Sequence, residues 1–120
     1  MAFENEEAKR KFLGFVGLAK RAGRTVCGTP MVCATLSEGK KPPLVLYSLA
    51  ASAATQKKIV CKCDFYGVRA VGLEISPAEL GHAVGKTGDM AALAVTDAGF
   101  ADAMISKLFP EGTAQAFATN

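Results

Sequence analysis

Residues 43–49, PLVLYSL, are apolar at almost every position, so neither face of this segment can be left to water. A strand buried on both faces needs a layer of structure above it and another below. MAALAV (90–95) repeats the pattern, and VRAVGL (68–73) has the composition of a third strand. The segments between them carry helical periodicity instead. The alternation predicts a single sheet with helices on both faces.

The helices have legible ends. Over residues 4–22, Phe12, Val16, Ala19 and Ala22 form one apolar stripe with Phe15 beside it. Glu4, Glu6 and Glu7 open this helix and Lys20 and Arg21 close it, matching the helix dipole, and Gly23 is a natural stop. TVC (25–27) has room for a short strand. Thr29 and Pro30 then read as a hydroxyl cap and a first-turn proline, leading a helix to about Glu38, with Gly39 ending it. Residues 52–66 predict a long helix with Ile59, Cys63 and Tyr66 on one line and Gly67 after it. Ser76-Pro77-Ala78-Glu79 is a capping box that opens a short helix to about Val84. Thr96-Asp97 leads a last helix with Phe100, Met104, Ile105 and Leu108 inward.

The 120 residues suit one domain, 1–120, with weak signals over 109–120 and a loosely held tail expected there. Half the residues are hydrophobic and 21% are charged, as in a soluble globular domain. No apolar run approaches the ~18–20 residues of a membrane span, and MAFENEEAKRKF lacks the apolar core of a signal peptide. A cytoplasmic protein with no membrane partner is expected. The cysteines, Cys27, Cys33, Cys61 and Cys63, lack the paired CxxC spacing of a zinc site, and Cys61 and Cys63 point to different faces of a helix. Reduced thiols and no bound metal are expected.

Gly85-Lys86-Thr87 looks like the end of a phosphate-binding loop, GxxxxGK followed by Ser or Thr. The spacing is wrong: three residues separate Gly81 from Gly85 where four are needed. The context is wrong too, because these residues follow a capped helix and precede a strand, whereas such a loop joins a strand to a helix. Gly85 reads better as the glycine that ends the helix. The sole histidine, His82, has no nucleophile or acid placed with it by spacing, so no catalytic set and no cofactor are expected.

Charge is unevenly spread. Residues 1–62 carry +7 and residues 63–120 carry −4. Such separation suits a basic face for a polyanion, and equally a solvated helix surface.

At GLAKRAGRTVCGTPMV the sequence resembles the bacterial members of the ribosomal protein L7Ae/L30e family, small proteins that bind kink-turn RNA. PLVLYSLAASAATQKKI, LGHAVGK and AVTDAGFADAM resemble further segments of that family in order, so the likeness spans about residues 12–108. It implies an α/β fold, a three-layer α/β/α sandwich around a mixed sheet of about four strands. It also implies a non-catalytic cytoplasmic protein whose partner is structured, kink-turn-like RNA, including ribosomal RNA in a ribonucleoprotein. The turn Gly28-Thr29-Pro30-Met31 would dock at the bend, and the loop Glu74-Ile75-Ser76 would cover an extruded nucleotide. Lys20, Arg21 and Arg24, adjacent in sequence, would add phosphate contacts.

Four positions depart from the family pattern. Pro30-Met31 stands where strong RNA binders have Asn-Glu, Ala34 where they have Lys, and Ala50 where they have an acidic residue. Met offers no strong hydrogen bond to a base edge, and proline lacks even its own N–H. A second reading follows from these losses: a protein-docking module of the same fold, with Pro30, Met31 and Ile75 as an apolar patch.

Overall fold

The computed structural model describes residues 2–109. The elements run α1 (Glu6–Arg21), β1 (Thr25–Cys27), α2 (Thr29–Ser37), β2 (Leu44–Ser48), α3 (Ala53–Tyr66), β3 (Ala70–Leu73), α4 (Pro77–Ala83), β4 (Ala92–Val95) and α5 (Ala98–Leu108). Apart from Phe109, the tail singled out in the sequence lies outside the described residues.

The four strands form one mixed sheet in the order β1-β4-β2-β3. β2 and β3 are parallel, with Val45 opposite Ala70 and Ser48 opposite Leu73, and α3 makes the crossover between them. β4 runs antiparallel to both its neighbours, pairing Val95 with Thr25 of β1 and with Leu44 of β2. Three strands therefore begin at one end of the sheet, where β4 finishes.

Side-chain alternation divides the core into two halves. Leu44 and Leu46 of β2 and Leu93 and Val95 of β4 pack against α1, α4 and α5, with Phe12, Val16, Leu80 and Met104. Val45, Ala92 and Ala94 face the other way, against Val32 and Leu36 of α2 and Ile59 and Cys63 of α3. That double burial is why PLVLYSL has no polar face. It is the three-layer sandwich expected.

The packing is close where two glycines stand. A Cβ on Gly17 of α1 would lie 2.7 Å from the Ala83 carbonyl oxygen of α4, and a Cβ on Gly81 would overlap the Gly88 carbonyl. Helix α4 ends as the sequence suggested: Gly85 has φ 79°, and the N–H groups of Gly85 and Lys86 donate to the carbonyls of His82 and Gly81.

Several boundaries differ from the sequence reading, among them the start of β3, at Ala70 rather than Val68, and three whose cause is visible. Thr29 is not the cap of α2. Gly28 caps it with φ 94°, no side chain bonds the first turn, and Thr29 is already helical. The chain must turn sharply as β1 ends, because the Gly28 N–H still bonds Ala92 of β4, and only glycine holds that conformation without strain. α1 starts two residues later than expected, at Glu6, because the Asn5 side chain accepts from the Ala8 N–H. β4 begins at Ala92 rather than Met90, whose N–H is drawn to the Pro77 carbonyl.

Candidate nucleic-acid interface

At the end of the sheet where β1 and β2 finish, three helices begin. Gly28-Thr29-Pro30 at the start of α2, Ser52 and Thr55 at the start of α3, and Pro77 at the start of α4 all line one cleft of about 410 Å³. Lys86, Asp89 and Met90 complete its wall. The positive ends of three helix dipoles are thus collected at a single opening.

The free donors at this opening follow from how each helix starts. Pro30 has no N–H, and the Thr29 and Met31 N–H groups have no partner among the described residues. Ser52 caps α3 by accepting from the Thr55 N–H at 3.2 Å, and its hydroxyl meets the Thr55 hydroxyl at 2.9 Å. The Gln56 side chain closes the loop before α3 by donating to the Leu49 and Ala51 carbonyls. Lys86 adds a cation: its Nζ lies 3.8 Å from where a Cβ on Gly28 would stand. Asp89 offsets that charge, so the cleft's attraction for an anion rests largely on amides and helix dipoles.

The loop before α4 is fixed from beneath. Ser48, wholly buried at the end of β2, donates its hydroxyl to the Ile75 carbonyl at 2.6 Å and accepts from the Ala50 N–H at 3.0 Å. Ser76 and Glu79 complete the capping box, each side chain accepting from the other's N–H. Lys9 of α1 reaches Glu79 at 2.9 Å. The Ser76 N–H and the Lys9 ammonium hold the Glu79 carboxyl below the usual carboxylate range.

The residues expected to act together are therefore sorted by the fold. Gly28, Thr29 and Pro30 line the cleft, and Met31 stands 58% exposed in the same first turn. Ile75 is 2% exposed and packs in the core, which removes it from any apolar docking patch and leaves its backbone to shape the loop. Ser76 is occupied by capping, and Glu74 faces α1, beside Phe3, Asn5 and Lys9. Lys20, Arg21 and Arg24 do not line the cleft. The Arg24 carbonyl accepts from the Thr96 N–H at the opposite end of β1, about 13 Å of strand away from Gly28. Nearness in sequence became distance because an intervening strand carries the chain across the sheet.

Sequence reasoning about the interface missed Lys86, Ser52 and Thr55. Lys86 carried a signal, the glycine-lysine pair after α4, which spacing rightly removed from a nucleotide-hydrolysing loop. Ser52 and Thr55 looked like an ordinary helix start, which they also are. Among the described residues no helix is long and apolar enough to cross a membrane, and no three His, Cys, Asp or Glu come together to hold a metal.

A mixed four-stranded sheet between two helical layers, with helix starts gathered at one end, places the protein in a recognised class. The chain belongs to the ribosomal protein L7Ae/L30e/S12e/Gadd45 family, whose model matches residues 10–105. More particularly, it is 40% identical over 93 residues to the RNA-binding protein YlxQ of Bacillus subtilis, covering 78% of this chain and 90% of the relative. It is 32% identical over 97 residues to the protein of the same name from Enterococcus faecium, covering 81% of this chain and 90% of that one. A solved protein of unknown function from Bacillus halodurans superposes with a TM-score of 0.72 at 31% identity, covering 82% of this chain and 96% of that one. The Giardia lamblia 15.5kD RNA binding protein shares the fold, with a TM-score of 0.70 at 18% identity over 88% of each chain.

Proposed function

We propose that this protein binds structured RNA without catalysing a reaction, and that it grips a sharply bent, kink-turn-like segment, such as one in ribosomal RNA, at the cleft. The observation that carries the reading is the convergence of α2, α3 and α4 starts on one opening, with the Thr29 and Met31 amides beside it unpaired among the described residues. Helix N-termini bind phosphate through such amides, and bent RNA is recognised by backbone shape and unstacked bases more than by a groove. The names of the YlxQ relatives agree with RNA as the partner.

The site works through backbone and shape. Pro30 and Met31 give no strong side-chain hydrogen bonds to base edges, so the cleft would hold the sugar-phosphate path of the bend while Met31 offers an apolar contact to an exposed base. The Thr55 hydroxyl, which accepts from Ser52 and keeps its own proton, and Lys86 supply further donors to phosphate oxygens. The test is a gel-shift titration of a kink-turn stem with wild type and Thr29→Glu, which puts a negative charge where phosphate would lie. A large loss of affinity is expected. Equal affinity for the two proteins would remove the cleft from the binding reaction.

A further inference from the structure

The cleft holds one lysine and one aspartate, yet the chain carries a net +3, and much of its positive charge gathers at the other end of the sheet. Arg24 precedes β1, Lys40 and Lys41 precede β2, and Arg69 precedes β3, so the loops feeding three strands each bring cations to this pole. Lys20 and Arg21 join them, because the Arg24 N–H bonds the Ala19 carbonyl at the end of α1. All six side chains are exposed. The helix dipole accounts for Lys20 and Arg21, and Glu38 pairs with Lys40 at 3.5 Å. Neither explains Arg24 and Lys41, which make no ion pair among the described residues. Asp64 near the end of α3, Asp97 at the start of α5 and Asp102 in its first half are acids on elements that reach this end, and Asp97 is engaged in capping α5.

The same pole holds a second cleft, of about 280 Å³. Lys40 and Lys41 line it with the hydroxyl-bearing Thr35 and Thr96 over an apolar floor of Val26 and Pro42. Ammonium groups and hydroxyls together suit phosphate oxygens, and the floor suits a sugar or base. From β1 to β3 the pole spans three strand spacings, about 14 Å, against ~3.4 Å of axis per nucleotide in one strand. The surface therefore has room for several nucleotides.

We infer that this basic pole is a second RNA-contact surface, which holds the backbone of a segment other than the one bent into the cleft. The inference rests on the RNA-binding reading but not on the kink-turn. A rigid sheet separates the two surfaces, so one protein would fix the spacing of two stretches of RNA.

Two variants of the full chain separate the claims: Arg24→Gln/Lys40→Gln/Lys41→Gln at the pole and Thr29→Glu at the cleft. Each is titrated over a range of salt against an isolated kink-turn hairpin and against an unstructured oligouridylate, with thermal melting confirming that it is folded. The pole variant is expected to hold the hairpin within about threefold, to lose roughly tenfold or more on oligouridylate, and to reduce that RNA's salt slope by about two to three. Lys40→Arg/Lys41→Arg should restore wild-type behaviour, and photocrosslinked nucleotide should appear on the peptide containing Lys40 and Lys41. A pole variant that binds oligouridylate as wild type does overturns the inference. Wild type that ignores the hairpin yet shows the oligouridylate pattern defeats the kink-turn reading and leaves the pole standing. Wild type that binds neither RNA defeats both.

Discussion

The Ser48 hydroxyl donates to the Ile75 carbonyl over 2.6 Å, joining the end of β2 to the loop that leads into α4. The two residues stand 27 apart in the chain, and the loop this bond fixes leads to Pro77, which lines the cleft together with Gly28. Ser48→Ala would leave the Ile75 carbonyl without its donor in a buried setting and the Ala50 N–H without its acceptor in a partly buried one. The expected cost is about 1–3 kcal/mol in urea denaturation. Affinity for bent RNA should fall with it, because the cleft loses its fixed wall.

The Lys86 ammonium stands beside the Gly28 turn. Lys86→Gln is expected to weaken RNA binding by a similar factor for every sequence tested and to lower the salt slope by about one. An unaltered slope would mean that this ammonium meets no phosphate.

Gly17 lets α1 approach α4. In Gly17→Ala the new methyl group would lie 2.7 Å from the Ala83 carbonyl oxygen, a backbone atom that cannot turn aside. Destabilisation of about 1–3 kcal/mol is expected despite the better helix propensity of alanine. Gly14 on the same helix has open space around it, and Gly14→Ala should be neutral or stabilising, which makes it the control.

Glu79 links α1 to the capped loop and titrates. Its folded carboxyl lies below its ordinary value of 4.5, chiefly through the Ser76 N–H and then Lys9. The resulting stability is present above the unfolded value and is lost as pH falls through the folded one. Lys9 is raised above 10.5, chiefly by Glu79 and then by Glu6, so its contribution is present below that pH and lost on going above the folded value. Wild type should lose stability more steeply than Glu79→Gln as the pH drops below about 4.5, measured by urea midpoints across pH.

The cysteines should label in the order of their exposure. Cys61 is exposed, whereas Cys63 is buried between α3 and the sheet, and burial, aided by Cys33, pushes its thiol up to about 11. At pH 8 an alkylating reagent should modify Cys61 rapidly and Cys63 only after unfolding, as read by peptide mass spectrometry.

Local signals carried most of the fold. The uninterrupted apolar character of Leu44, Val45 and Leu46 required a sheet covered on both faces, and Ser76-Pro77-Ala78-Glu79 placed a helix start that the structure shows bond for bond. The glycines at 39, 67 and 85 ended their helices with positive φ, because a residue without Cβ is the cheapest way to leave one. These features depend on neighbours within a few residues, so a linear reading reaches them.

The site was legible only in fragments. Thr29 and Pro30 were visible as a helix start, but the cap proved to be Gly28, since the bond from its N–H to Ala92 of β4 sets the turn. Ile75 was visible as an apolar loop residue, and packing against the sheet turned it inward. Which cations stand at which pole was settled by strand direction: Arg24 lies only four residues from Gly28 in the chain, yet β1 carries the two to opposite ends of the sheet. Periodicity and short-range capping carried the layers and most helix ends, and the motif GLAKRAGRTVCGTPMV carried the family likeness. Which helix starts share a cleft and where the positive charge lies emerge with the folded sheet, because strand order and direction come from pairings between distant residues.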